Sequence, residues 1–255
     1  MKVKILGSGT AIPDLKRNAS GLFVKTSSSS ILADLGPGTI RRLAEAGIAP
    51  ESIDIILITH FHPDHVSDLV PFLFASNYEH GPVRQAPFYV VGPKGLNEFY
   101  EKLVVVFGKW IVPGSDRLKL RELGIESFDR IYFEQWDLIV RSAPAVHSRP
   151  SLSYRIEAAG VSVTISGDTD FSENLVELAA GTDILICECS FPDGMKTIGH
   201  MIPSEAGETA ARAQVKKLVL THFYPHCHDV DVVSQAAAKF SGTVIKAEDL
   251  MTLEC

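Results

Sequence analysis

Short apolar runs alternate along this chain with longer segments in which apolar residues recur every three to four positions. The short runs predict β-strands at residues 3–6, 21–25, 31–34, 55–58, 138–141, 153–156, 161–165, 184–187, 218–221 and 243–245. The longer segments predict helices at residues 39–46, 66–76, 96–106, 171–180, 204–215 and 230–240, with Ser204 as the cap of its helix. The alternation favours an α/β fold.

Composition limits the classes of protein that fit this pattern. The 255 residues are 45% hydrophobic, and no linker or low-complexity segment divides them, so we expect one domain over residues 1–255. No stretch approaches the roughly 18 apolar residues of a membrane span, and the first residues lack a signal-peptide pattern, which predicts a cytoplasmic protein. Four unevenly spaced cysteines, Cys187, Cys189, Cys227 and Cys255, are interpreted as free thiols.

The densest chemistry in the chain lies directly after the predicted strand that ends at Ile58. The segment His60-Phe61-His62-Pro63-Asp64-His65 contains three imidazoles and one carboxylate within six residues. Histidines two apart on a loop can converge on one ion, while Asp64 and His65 face a neighbouring ion. The spacing therefore indicates a two-metal centre at a strand end, where α/β folds build their sites.

The segment from Thr59 to His65 resembles the motif of the metallo-β-lactamase superfamily. The resemblance implies an αββα four-layer sandwich, with two mixed sheets flanked by helices, and a binuclear metallohydrolase. Members of that family add a lone histidine, a bridging aspartate and a late histidine, which correspond here to His147, Asp168 and His222. The implied metal ligands are His60, His62, Asp64, His65, His147, Asp168 and His222.

Within the superfamily the sequence resembles ribonuclease Z and its relatives. Residues 13–20, PDLKRNAS, resemble that branch's P-x-K-x-R-N segment, with the lysine one place later. Residues 187–191, CECSF, resemble its H-E-A-T-F run with the histidine replaced, and His200 matches a further histidine. The resemblance implies that Glu188 steadies His200, which stabilises or protonates the leaving group, and that Asp64 holds the proton of the attacking water.

The expected cofactors are two divalent metal ions. Zinc is the first choice for so many imidazoles, and manganese or iron accept the same donors. By resemblance, His60, His62 and His147 bind one ion, Asp64, His65 and His222 bind the other, and Asp168 lies between the two ions. The implied reaction is metal-assisted hydrolysis of a phosphodiester.

Charge bears on the substrate. Relatives of the ribonuclease Z type grip transfer RNA with a basic arm, which we expect between Glu79 and Arg141, yet that stretch has nine Lys and Arg against nine Asp and Glu. With a net charge of −7, the chain has no obvious source of polynucleotide affinity. Lys16, Arg17 and Arg149 offer local positive charge. A small, nucleotide-like anionic substrate is favoured over folded RNA, with an RNA end as the other option.

Three alternatives stay open. The motif also occurs in thioester or lactone hydrolases and in single-iron thiol dioxygenases. Some relatives are binding proteins with an inactive site, but the full set of metal ligands in this sequence argues against that alternative. Residues 103–107 and 110–112 are apolar, and we expect them to be a lid, a homodimer contact or part of the core. His226 and His228 are expected to line the mouth of the cleft rather than bind a third ion.

Overall fold

A computed structural model describes residues 1–77, 86–114 and 116–255. The strands are β1 Lys2–Gly7, β2 Gly21–Lys25, β3 Ser30–Ala33, β4 Ile55–Leu57, β5 Phe88–Pro93, β6 Leu118–Leu123, β7 Asp129–Phe133, β8 Leu138–Pro144, β9 Leu152–Ala158, β10 Val161–Ile165, β11 Ile184–Glu188, β12 Lys217–Thr221, β13 Thr243–Lys246 and β14 Thr252–Glu254. The helices are α1 Thr39–Glu45, α2 Pro63–Val66, α3 Leu69–Asn77, α4 Leu96–Phe107, α5 Glu173–Leu178, α6 Pro203–Arg212 and α7 Val232–Ala237.

The strands form two seven-stranded mixed sheets. The first has the order β14-β1-β2-β3-β4-β5-β6 and the second the order β13-β12-β11-β10-β9-β8-β7. In the first sheet pairing is antiparallel up to β3 and parallel from β3 to β6. In the second it is antiparallel from β7 to β10 and parallel from β10 to β13. The expected fold class, two mixed sheets flanked by helices, is confirmed.

Alternation of side chains along β3 and β4 builds two apolar layers. Ile31 and Ile55 point into a core shared with the second sheet, whereas Leu32 and Ile56 point to the other face, against helices α1, α3 and α4. The second sheet packs its other face against α5, α6 and α7. Strands buried on both faces read as continuous apolar runs, which is why the sequence reveals them.

All ten predicted strands are present, and the sequence prediction missed β5, β6, β7 and β14. Strands β6 and β7 lie at sheet edges and carry charged residues, so their apolar pattern is weak. The predicted helix 66–76 is two helices, α2 and α3, and α2 begins earlier, at Pro63. The predicted cap Ser204 is wrong.

The start of α6 explains the error. Pro203 occupies the first helical position, where its missing N–H costs nothing, so the cap position falls on Ile202. The Glu205 carboxylate accepts the Ile202 N–H at 3.2 Å, and the Ser204 N–H donates to Asp193 instead.

The apolar stretch after residue 102 is largely exposed. Val105 and Val106 are 85% and 73% exposed on α4, and Trp110 is 59% exposed, while Ile111 is buried. Burial of the whole stretch in the core is therefore wrong, and an apolar surface remains beside Phe74. No helix among the described residues is long and apolar enough to cross a membrane.

The region expected to hold a basic arm is taken up by regular structure. Residues 86–114 and 116–141 contain β5, α4, β6, β7 and the start of β8, with only residues 124–128 between β6 and β7. In these described ranges no extended arm leaves the first or the second sheet; residues 78–85, which include part of the expected stretch, lie outside the description.

Candidate metal centre

The predicted ligands converge where strands of both sheets end. His60 follows β4 of the first sheet, and His147, Asp168 and His222 follow β8, β10 and β12 of the second. Gly167 permits the close approach, because its φ is +59° and a Cβ atom there would lie 2.9 Å from the Thr59 Cβ. Loops at the carboxyl ends of strands from separate sheets thus meet at one edge.

Among the described residues, three groups of side chains have metal-ligating atoms within 4.8 Å of one another. Two of them contain the predicted ligands: one is His60, His62, His147 and Asp168, and the other is Asp64, His65 and His222. The third combines Asp168 and His222 with His200. The structure therefore brings together all seven side chains that the sequence singled out, in the two sets that the resemblance implies.

Asp168 lies between the two groups and is almost fully buried. Its Oδ1 is 3.3 Å from the Nε2 atoms of His65 and His222, and its Oδ2 is 3.8 Å from the Nε2 atoms of His60 and His147. Each carboxylate oxygen thus faces a different group.

The centre fits divalent cations. Among the described residues, the buried atoms His60 Nε2 and Asp168 Oδ1 have no hydrogen-bond partner. An unpaired buried polar atom costs about 1–3 kcal/mol, so one such atom at each of the two groups indicates a species there that accepts its lone pair. Imidazole nitrogens with carboxylate oxygens suit zinc, manganese and iron.

Asp34, which the sequence prediction did not assign to the site, orients His65 and Thr59 on the first sheet's side of the centre. It follows β3 with a left-handed backbone, φ 56°, and is buried. Its Oδ2 accepts the His65 Nδ1–H at 2.7 Å, and its two oxygens accept the Thr59 N–H and hydroxyl at 2.8 and 2.9 Å. A carboxylate only accepts, so Nδ1 of His65 carries a proton and Nε2, which faces Asp168, is the nitrogen left to bind a cation.

The other histidines are oriented in the same way, through a second nitrogen that has its own partner. The partners are Thr59 Oγ1 for His60 at 3.0 Å, the Gly199 carbonyl for His147 at 2.9 Å, Ser190 Oγ for His222 at 3.0 Å and Ser148 Oγ for His62 at 3.2 Å. Such contacts fix the tautomer and ring orientation of a ligand histidine.

Burial sets the ionisation of His60 and His147. Burial, reinforced by the charge of His65, lowers the pKa of His60 to about 2. Burial also lowers the pKa of His147. Both imidazoles are therefore neutral at physiological pH, the form that binds metal.

In the group of Asp64, His65 and His222, interactions between acidic residues and histidines set the pKa values of Asp64 and His65. Burial opposes ionisation of Asp64, yet its hydrogen bond with His222 and the charge of His65 outweigh it and lower the pKa of Asp64 to about 2. Burial likewise opposes protonation of His65, but Asp168 and Asp34 hold the pKa of His65 well above its usual value. A cation would replace that proton, so metal binding at this group releases protons.

His200 and Glu188 lie together at the border of the centre. The His200 Nδ1 is 3.0 Å from Oε1 of Glu188, which is buried and also accepts the Thr169 N–H at 2.7 Å. Burial lowers the pKa of His200, but the hydrogen bond and charge of Glu188 outweigh it, so the pKa is raised. The His200 ring stacks on that of His222 at 5.9 Å, and its ligating atom lies within 4.8 Å of those of Asp168 and His222.

The remaining candidates lie outside the two ligand groups. His226 is exposed near Phe191, and His228 lies 3.1 Å from the Asp14 carboxylate. Cys187 and Cys189 are buried free thiols whose pKa values burial raises.

The three cations that the sequence suggested differ in how far they are engaged. Arg17 donates to Ser8 and to the Ala247 carbonyl, so its guanidinium is occupied. Arg149 is exposed and pairs loosely with Glu126 at 3.4 Å. Lys16 borders an open cavity with Arg17.

Comparison with known proteins finds relatives over the whole length of the chain. A family model described as a β-lactamase superfamily domain matches residues 30–223. Ribonuclease Z of Mycobacterium bovis is 30% identical over 276 residues, covering 100% of this chain and 98% of that protein. The crystal structure of human tRNase Z, short form, superposes with a TM-score of 0.81 at 25% identity, covering 100% and 99% of the two chains. The metallo-β-lactamase fold protein YhfI from Bacillus subtilis gives 0.85 at 22% identity, with the same coverage.

Proposed function

This chain belongs to the metallo-β-lactamase superfamily, on its ribonuclease Z-like branch, and is a metal-dependent hydrolase; we propose that it cleaves phosphodiesters at a two-metal centre. The observation that carries the proposal is Asp168, whose two oxygens face two separate sets of ligating atoms. A single ion would need only one set of ligating atoms, whereas a carboxylate between two sets can bind two ions at once.

The proposed ligands divide between the ions as the two groups do. His60, His62 and His147 would hold one ion and Asp64, His65 and His222 the other, with Asp168 offering one oxygen to each side. Zinc is proposed because imidazole donors predominate. Two such ions polarise the phosphate and lower the pKa of water towards neutrality.

Two side chains of the protein carry the proposed proton transfers, and a third holds one of them in place. Asp64 is ionised and is proposed to accept the proton of the attacking water. His200, with a raised pKa, donates a proton to the leaving oxygen, and Glu188 holds its ring through the Nδ1–H. The donating nitrogen is then Nε2, which leaves the Nδ1 contact intact during the step.

A small, nucleotide-like phosphodiester is the proposed substrate, with an RNA end as the larger variant. The described part of residues 79–141 has no extended arm, and the chain carries a net charge of −7. Affinity for folded RNA draws on many cationic contacts, and residues 79–141 have as many Asp and Glu as Lys and Arg, nine of each.

Metal analysis together with a substrate screen tests the proposal. We expect two zinc ions per chain and turnover of bis(p-nitrophenyl) phosphate and dinucleotides in preference to thioesters and lactones. His222→Ala should lose metal and activity, whereas His226→Ala, an exposed histidine four residues later, should keep both.

Other outcomes identify the alternatives. One iron per chain with oxidation of a thiol would replace the hydrolase by a dioxygenase, and faster turnover of thioesters or lactones would replace the phosphodiester. Full metal content without turnover of any of these substrates would favour a binding protein. Cleavage of precursor transfer RNA in preference to dinucleotides would overturn the small substrate.

A further inference from the structure

The Ser190 hydroxyl is the meeting point of three side chains at the centre. Ser190 is fully buried two residues after the end of β11. Its Oγ lies 2.6 Å from Glu188 Oε2, 3.0 Å from His222 Nδ1 and 3.1 Å from His200 Nδ1. One hydroxyl thus connects a carboxylate, a proposed metal ligand and the proposed proton donor.

The directions of these hydrogen bonds follow from counting protons. The hydroxyl has one proton, and the short contact with the Glu188 carboxylate requires that Ser190 donate there. Its lone pairs are then left to accept the His222 Nδ1–H. His222 therefore presents an unprotonated Nε2, which lies 3.3 Å from Asp168 Oδ1 and 3.5 Å from Asp64 Oδ2.

The first sheet has the same arrangement around Asp34. That carboxylate accepts directly from His65 and reaches His60 through the Thr59 hydroxyl. Glu188 contacts His200 directly and reaches His222 through Ser190. In each sheet one buried carboxylate and one hydroxyl orient two histidines.

We propose that Ser190 is a positioning residue. Its hydroxyl links the Glu188 carboxylate to His222 by hydrogen bonds and so fixes the tautomer with which His222 binds metal. The inference rests on the proposed two-metal function. It also gives Glu188 a second role, because this carboxylate then maintains the ion on the side of His222 as well as holding His200.

The backbone at Ser190 is held independently of its hydroxyl. The Ser190 N–H donates to the Met201 carbonyl at 3.2 Å, and its carbonyl accepts the Tyr224 N–H at 3.2 Å. Loss of the hydroxyl therefore removes the link to His222 while the loop keeps its main-chain contacts.

The test measures zinc affinity by competition with a chromophoric chelator. In Ser190→Ala we expect one of the two ions to bind about 10–100-fold more weakly, the usual cost of removing an outer partner of a ligand, while the other ion is unaffected. Ser190→Thr retains the hydroxyl and should restore most of the affinity. Ser29→Ala, which removes an equally buried hydroxyl that contacts Thr26, serves as the matched control and should bind both ions normally.

A second readout separates Ser190 from His200. With zinc saturating, Ser190→Ala should keep the wild-type dependence of kcat on the leaving group, because His200 still donates to Glu188. The inference is overturned if Ser190→Ala binds both ions with wild-type affinity, or if Ser190→Thr, with an unchanged melting temperature, is as weak as Ser190→Ala. Failure of the wild-type protein to bind two ions would overturn the proposed function instead.

Discussion

Replacing Asp34 by Asn removes one charge from beneath the centre and almost nothing else. Asn has the same shape and tolerates the left-handed backbone that Asp34 adopts at φ 56°. In place of two accepting oxygens it has one oxygen and one NH₂ group. Whichever way the amide turns, its NH₂ faces either the His65 Nδ1–H or the Thr59 N–H, where the carboxylate accepted both.

The conflict is relieved when His65 changes its tautomer. The ring then accepts from the amide through Nδ1 and carries its proton on Nε2, the nitrogen that lies 3.3 Å from Asp168. To bind metal, His65 must move its proton back from Nε2 to Nδ1, and the hydrogen bond from Nε2 to the Asp168 carboxylate is lost. The loss of a hydrogen bond to a charged group costs about 2–3 kcal/mol. At 1.4 kcal/mol per tenfold, we expect the ion on the His65 side to bind roughly 30- to 100-fold more weakly.

Metal titration against a competing chelator measures this loss, and urea unfolding of the metal-free protein measures any general damage. Asp34→Asn should weaken one ion with a smaller change in the stability of the metal-free form. Asp183→Asn, whose carboxylate pairs with Lys216 and accepts the Ser162 N–H, is the matched control and should bind both ions normally. Wild-type affinity for both ions in Asp34→Asn would refute the tautomer argument.

Three further outcomes are expected. His200→Ala should lower kcat roughly 10²-fold or more without changing metal content, and the loss should shrink for p-nitrophenolate, which leaves without a proton; an equal loss on activated and unactivated diesters, or loss of an ion, contradicts this. Metal-free protein should lose stability as the pH falls from about 6 to 4, by at most about 1.4 kcal/mol per pH unit. The reason is that His60, whose pKa is about 2 in the folded protein, takes up a proton below about pH 6.5 only when the chain is unfolded. Urea unfolding at several pH values should show a weaker pH dependence of stability in His60→Gln, and an identical slope in both proteins contradicts the assignment. If the exposed apolar surface at Trp110 is a homodimer contact, Trp110→Asp should yield monomers by light scattering, and a wild-type monomer at high concentration removes the dimer.

The sequence was most informative where one physical demand dominates. Strands buried on both faces must be largely apolar, so β4 and the first four residues of β11 are visible as runs. Edge strands satisfy no such demand, and β6, with two charged residues beside each other, lacks the pattern. The seven side chains of the candidate centre were recognisable because four stand together in the segment after β4 and the others follow apolar strands in the family's order.

The partners of those side chains were not recognisable, because tertiary structure alone brings them into contact. Asp34 is 31 residues from His65, and Ser190 is 32 residues from His222. An aspartate in a glycine-rich turn and a serine after a strand are common local features, and neither spacing nor composition indicates which histidine they hold. Only the meeting of two strand ends gives these residues their role.

The seven side chains come from both sheets: the first supplies His60, His62, Asp64 and His65, and the second supplies His147, Asp168 and His222. On the proposed assignment, each ion has ligands from both sheets and therefore cross-links the amino-terminal and carboxy-terminal halves of the chain. A ligand present at 1,000 times its dissociation constant adds about 4 kcal/mol to the free energy of unfolding, a large share of what a domain possesses. Zinc starvation should then act on abundance as well as on catalysis, since protein that fails to capture its ions separates its halves more often and is exposed to proteases.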